Sequence, residues 1–264
     1  MKTINLLRDG PIATITLNRP AALNSLDLTM TMELAAVTSL IENDEGIRCV
    51  VLRGAGDHFM AGGDIKTFHQ GLDEAPDQRK LMFEHMITEV HGAITRLRRM
   101  PRPVIASVKG AVAGFGFSLM SACDLVVAAD NSYFTLAYSL IGASPDGGAT
   151  FALPRVVGTK TAMEMALLGD RFDATRALSL GMVNRVVPVG QLEEETRTLA
   201  DRLAQGPTAV YGRTKRLINE SLDHSLQEQL QAEQDAFGAS CLSPDFAEGV
   251  RAFVEKRKAN FSGR

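Results

Sequence analysis

The sequence predicts an α/β fold, and three observations carry that reading. Short β-branched runs alternate with helical stretches up to about residue 190, glycines close the strands, and from Gln191 the pattern is helical almost to the end. An α/β core over residues 1–190 and a helical region over residues 191–264 follow. The 264 residues are 45% hydrophobic and 22% charged with a net charge of −3, a balance that allows a full core and gives no sign of a nucleic-acid partner. The opening MKTINLLRDG lacks the apolar stretch of a signal peptide, and no apolar run approaches the roughly 18 residues of a membrane span. A cytoplasmic location with no membrane partner is therefore expected. Cys49, Cys123 and Cys241 are widely spaced and odd in number, and the histidines form no HxxxH or HExxH pattern. Neither a disulfide framework nor a metal site is expected.

In chain order, Asp9-Gly10-Pro11 is a turn signal, and Ala13, Ile15 and Leu17 alternate with threonines after it, which predicts a hairpin. Asn18-Arg19-Pro20 ends that strand. Leu34, Val37, Leu40 and Ile41 fall at helical spacing within Thr31 to Glu42. Cys49 to Leu52 is a buried strand closed by Gly54 and Gly56, a helix is expected from about Gln78 to Arg99, and Val104, Ile105 and Val108 begin the next strand. The order suggests repeated ββα or βαβ units. In the tail, apolar stripes at Leu217, Ile218 and Leu222 and at Phe246, Val250 and Phe253 need burial against the core or another subunit.

The stretch from Pro103 to Asp124 organises the chain. Its strand runs into a loop with Gly110, Gly114 and Gly116, after which Phe117, Leu119, Met120 and Ala122 start a helix. Glycines let a loop bring backbone N–H groups against a ligand next to the positive end of a helix. The same spacing serves equally as a tight connection without chemistry, and the absence of a following Gly-Lys-Ser/Thr argues against a phosphate loop.

Four stretches in register extend the reading: Asn18 to Leu26 (NRPAALNSL), His58 to Ile65 (HFMAGGDI), the glycine loop, and the AFVEKRKANF tail. Together they resemble the crotonase superfamily, the enoyl-CoA hydratase/isomerase enzymes, over nearly the whole chain. The resemblance implies a spiral of stacked ββα units and a helical C-terminal region that assembles a homotrimer or hexamer. It also implies an acyl-CoA thioester as substrate, with coenzyme A entering as part of that substrate and no separate cofactor. Its oxyanion hole would be the backbone N–H groups of Ala61 and Phe115; relatives often have Gly at the second position. CoA contacts are implied at Ala22, Ala61, Asp64, Ile65, Lys66, Gly114, Phe253 and Lys256, although for the lysines a solvated charged face is the alternative. Ala21 stands where many relatives carry Lys.

Family hydratases use two glutamates, and here Ser118 and Tyr138 take those positions. Neither is a carboxylate base, so efficient hydration is disfavoured. Asp146, in Ser144-Pro145-Asp146-Gly147, is by itself an ordinary turn or N-cap residue. The resemblance makes it the acid/base group of Δ3,Δ2-enoyl-CoA isomerases and of the ring-epoxide isomerases of phenylacetate breakdown. Walls from Phe115, Phe117, Leu136 and Leu140 are expected to raise its pKa. His91 reads as a structural residue of its helix, or as the base of a dehalogenase-like hydrolase in which Asp146 is the nucleophile. The favoured activity is double-bond isomerisation of an acyl-CoA through Asp146, with His91, Tyr138 and Ser118 as auxiliaries. A weak hydratase, the hydrolase, and a non-catalytic CoA-ester-binding member are the alternatives.

Overall fold

The computed structural model describes all 264 residues. Its hairpin forms where expected: β1 (Ile4–Asp9) and β2 (Ile12–Leu17) pair antiparallel, with Asp9 opposite Ile12. β2 then continues into a parallel sheet with β3 (Cys49–Gly54), β4 (Val104–Val108), β6 (Leu125–Ala129) and β9 (Arg185–Val187), in the order β1-β2-β3-β4-β6-β9. A smaller sheet holds β5 (Ala111–Ala113), β7 (Tyr133–Thr135) and β8 (Phe172–Asp173). Each long strand hands the chain to this second layer: β4 runs into β5, β6 into β7, and β3 into Met60, which bridges Val112. A helix follows each pair, so the repeated unit is ββα.

Strand residues read as continuous apolar runs because both faces of the main sheet are covered. On one face Ala13, Ile15, Val50, Leu52, Val104, Ala106, Val126 and Ala128 meet α1 (Leu28–Glu42) and α3 (Pro76–Arg99). α1 presents Met30, Leu34, Val37 and Ile41, and α3 presents Val90, Ala93, Ile94 and Leu97, each at helical spacing. Both helices begin a little earlier than the apolar periodicity indicates. Asp27 caps α1 by accepting from the Met30 N–H at 2.8 Å, and Pro76 opens α3, where a missing N–H is harmless. On the other face Ile12, Cys49, Val51, Ile105 and Val127 are covered by Leu192, Leu199, Ala200 and Ala204 of α8 (Leu192–Ala204). The division drawn at residue 190 therefore precedes a helix that belongs to the core. Composition registers the change to helix, not the surface that the helix covers.

Beyond α8, α9 (Thr208–Glu220), α10 (Leu226–Cys241) and α11 (Pro244–Val254) form the C-terminal region. α9 is pinned to the core by Lys215, whose Nζ lies 2.8 Å from Asp124 Oδ2 and donates to the Leu97 carbonyl at 2.7 Å. Asp124 also accepts from the Val104 N–H at 2.8 Å, so one carboxylate ties α9 to the start of β4. Along α10 and α11, Leu226, Leu230, Phe237, Leu242, Val250 and Phe253 are exposed. No helix is long and apolar enough to cross a membrane.

Removing Lys215 strands Asp124 without its cation. Lys215→Ala is expected to lower the unfolding free energy by about 3 kcal/mol, measured by urea denaturation, and Asp124→Asn added to it should recover part of that loss.

Candidate active site

The site begins with two backbone amides. Met60 and Val112 pair in parallel, so the chains that leave this bridge run side by side. Gly62 (φ +97°) and Gly114 (φ +51°) then meet backbone to backbone: a methyl on Gly114 would stand 3.3 Å from the Cα of Gly62. One residue further, Gly63 and Phe115 share the same offset from the bridge. Leu26 pairs with Gly63 through the Leu26 N–H to Gly62 O at 2.8 Å and the Asp64 N–H to Leu26 O at 2.9 Å. In a parallel ladder that pattern turns the N–H of the middle residue, Gly63, away from Leu26. Phe115 opens α4 (Phe115–Ser121), where helix geometry leaves its N–H without an intrahelical partner. Neither amide has an acceptor within the chain.

This geometry corrects the expectation for Ala61. Its N–H is spent on the Leu23 carbonyl at 3.0 Å, so Gly63, two residues on, supplies the unpaired donor. The sequence signal lay in the double glycine itself. Gly62 takes a left-handed φ, and Phe68 leaves no room for a side chain on Gly63.

Around these amides a polar frame fixes the Pro20–Ala22 turn against the Ala61 to Lys66 segment. Arg19 pairs with Asp64 at 2.8 Å and with Asp27 at 3.2 Å, while Asn24 Nδ2 donates to the carbonyls of Ala55 and His58 at 2.9 and 2.8 Å. Burial would lift the Asp64 carboxyl, but Arg19 and the Lys66 N–H hold it below the usual carboxylate range. Asp64 thus holds the loop and caps α2 (Ile65–Gly71); its side chain is not a free ligand contact. The frame brings Ala22, Ala61, Ile65 and Lys66 together beside Gly114, with Ile65 and Lys66 exposed. Phe253 and Lys256 are placed elsewhere, at the end of α11, which packs on α10.

On the Phe115 side stands Asp146. Gly147 (φ +60°) rests on the Phe115 ring and the Ser118 Cβ, which ties the carboxylate to the residue that supplies the second amide. Asp146 Oδ1 accepts from the Tyr138 hydroxyl at 2.5 Å, and its main-chain carbonyl accepts from Ser118 Oγ at 2.7 Å. The Gly147 N–H donates to His91 Nε2 at 3.2 Å. Burial pushes the Asp146 carboxyl above the usual range, and the Tyr138 hydrogen bond opposes that shift without cancelling it. Of the expected apolar walls, Phe115 packs on this turn and Phe117 and Leu136 lie in the core, but Leu140 is 70% exposed and is no wall. Ser118, Gly147 and Gly148 also border a cavity of about 990 Å³ that extends between α3, α9 and α5 (Ala149–Val157). Burial pushes the Cys49 thiol up to about 12, so it stays protonated near neutral pH.

The family model described as enoyl-CoA hydratase/isomerase matches residues 8–264. The chain is 38% identical over 254 residues to the 1,2-epoxyphenylacetyl-CoA isomerase of Escherichia coli K12, covering 96% of this chain and 95% of that protein. It is 34% identical to the mitochondrial enoyl-CoA hydratase of Pongo abelii, covering 96% of this chain and 84% of that protein. Among solved structures, the enoyl-CoA hydratase from Polaromonas sp. JS666 superposes with a TM-score of 0.92 at 35% identity, over 98% of this chain and 99% of that one.

Gly147 offers a local test of the geometry. An added methyl would stand 2.8 Å from the Phe115 ring and from Ser118 Cβ. Gly147→Ala should lower the unfolding free energy by about 2–3 kcal/mol, whereas Gly142→Ala, also left-handed but with open space around it, should cost only the backbone part, about 1 kcal/mol.

Proposed function

The chain belongs to the enoyl-CoA hydratase/isomerase family, and from that premise we propose that it is an acyl-CoA isomerase that shifts a double bond by proton transfer through Asp146. One observation carries the reading: the carboxylate at the amide pair is Asp146, while the positions at which family hydratases keep glutamates hold Ser118 and Tyr138. The substrate is a 3-enoyl-CoA or a ring-derived acyl-CoA, and the reaction needs no cofactor beyond the CoA that the substrate carries.

Asp146 takes a proton from C2. The C–H electron pair moves toward the thioester, and the enolate oxygen that develops is stabilised by the N–H groups of Gly63 and Phe115, each on the order of 3 kcal/mol. The Asp146 carboxylic acid then returns a proton at C4, the double bond settles between C2 and C3, and the carboxylate is regenerated. One group serves as base and acid in turn, so the raised pKa suits both steps. A hydratase would need a second carboxylate to activate water, which Ser118 and Tyr138 do not supply. The hydrolase alternative needs His91 as a base, yet its Nε2 is engaged by the Gly147 N–H, so it holds the turn.

Lys66 and Ala22, beside the amide pair, are the proposed CoA contacts of this chain. Phe253 and Lys256 reach the CoA of a neighbouring copy in a homotrimer or hexamer, for which the apolar residues exposed on α10 and α11 supply the surface. Sedimentation should accordingly show an assembly, and charged replacements at Phe237 and Phe253 should weaken it.

The reading is tested by following 2-enoyl thioester formed from a 3-enoyl-CoA. Asp146→Asn should lose about 100- to 10,000-fold in kcat, with hydration of 2-enoyl-CoA slow in both proteins. Because the carboxylate form must start the reaction and its folded pKa is raised, the acid limb of kcat/KM should lie above pH 3.9, the ordinary Asp value. Wild-type protein without isomerase activity, or activity indifferent to Asp146, would overturn it.

A further inference from the structure

We propose that Tyr138 is a positioning residue that leaves Asp146 one working oxygen, Oδ2, so that the proton removed from the acyl chain and the proton given back pass through the same atom. The proposal rests on the reading of Asp146 as the acid/base group and adds what selects its reactive face.

Ser118 and Tyr138 bring one hydroxyl proton each. Ser118 Oγ gives its proton to the Asp146 main-chain carbonyl at 2.7 Å, and Tyr138 gives its proton to Oδ1 at 2.5 Å. The two hydroxyl oxygens also lie 3.3 Å apart, a longer contact than the bonds that each makes to Asp146. Tyr138 cannot reverse its role by ionising, since burial and the neighbouring Asp146 charge push its phenol far above the usual range. The third hold is the Gly147 N–H on His91 Nε2 at 3.2 Å. Oδ1, the carbonyl oxygen and the following N–H are thus gripped from three elements: the 3-10 turn Tyr138–Ile141, α4 and α3. No other residue of the chain hydrogen-bonds Oδ2.

The clamp has a directional consequence. A carboxylate with both oxygens free can rotate about its χ2 bond and exchange them. Fixing Oδ1 stops that rotation. When C2–H breaks, the proton goes to Oδ2 and the electron pair to the dienolate. When C4–H forms, Oδ2 gives up that proton, and Tyr138 donates to Oδ1 throughout. The donor favours the charged carboxylate over the neutral acid, so it also keeps the burial-raised pKa within reach of a group that must start ionised. The two positions where family hydratases carry carboxylates are thereby converted into the hydroxyls that orient a third one.

The test compares Tyr138→Phe, 3-fluorotyrosine at the same position, and Ser118→Ala in the full-length protein, with 3-enoyl-CoA deuterated at C2 as probe. Tyr138→Phe should lower kcat by about 10- to 100-fold with KM little changed. It should move the acid limb of kcat/KM to higher pH, since a bond that favours the carboxylate is gone, and reduce the fraction of deuterium that reappears at C4. Fluorotyrosine keeps the ring's shape and donates more strongly, so its acid limb should move to lower pH, and this variant decides the matter even if Tyr138→Phe folds poorly. Ser118→Ala should leave the acid limb in place. An unmoved limb in both Tyr138 variants, or a deuterium fraction in Tyr138→Phe equal to that of the wild type, would overturn the proposal. Loss of activity in Asp146→Asn alongside such a result would leave the isomerase reading standing, which separates the two failures.

Discussion

Two chain segments lie backbone to backbone at this site because neither Gly62 nor Gly114 carries a Cβ, and both hold left-handed φ values. That contact sets the spacing of the Gly63 and Phe115 amides. The larger architecture serves it: β3 leads to Met60 and β4 to β5, and the bridge between Met60 and Val112 fixes the register from which the two glycines follow. Arg19, Asp64 and Asn24 then lock the outer segment, which has little apolar burial of its own, by charge and side-chain amide bonds. Displacing either segment would move one of the two unpaired amides away from the other.

Asp146 is joined to that pair through packing. Gly147 seats the turn on Phe115, so the amide donor and the carboxylate rest on one side chain. The same turn shows two influences in opposition: burial raises the carboxyl pKa and the Tyr138 hydroxyl restrains it. The result is a carboxyl whose pKa stays above the usual carboxylate range, as the proposed acid/base role requires. Farther away, Lys215 and Asp124 join α9 to the α3–β4 junction and to the strand that feeds the amide loop. The C-terminal region is in this way coupled to the frame of the site.

Much of this was legible in the sequence. The hairpin at Gly10, the helices α1 and α3, the buried strands and the helical C-terminal region follow from periodicity and turn chemistry, and the register of four motifs placed the chain in its family. The particulars that failed depend on information that a linear pattern does not hold. Ala61 and Gly63 look alike as members of one glycine-rich motif, and only the pairing of Leu23 and Leu26 with this segment determines whose N–H is left over. α8 reads as part of a helical tail until its Leu199 and Ala200 are seen on the sheet. Leu140 is apolar and near Asp146 in sequence, yet its turn directs it to solvent. Ser118 and Tyr138 read as losses of carboxylate, and the hydrogen bonds they make to Asp146 emerge only when residues 28 and 8 positions away converge on it.

The most direct test of this account is a crystal structure of the protein with a stable acyl-CoA analogue whose thioester carbonyl is intact. The account predicts that the carbonyl oxygen lies about 2.7–3.1 Å from the backbone nitrogens of both Gly63 and Phe115, with Asp146 Oδ2 facing the carbons that exchange protons. An oxygen bound to any other donors, or an acyl chain that runs away from Asp146, would contradict it.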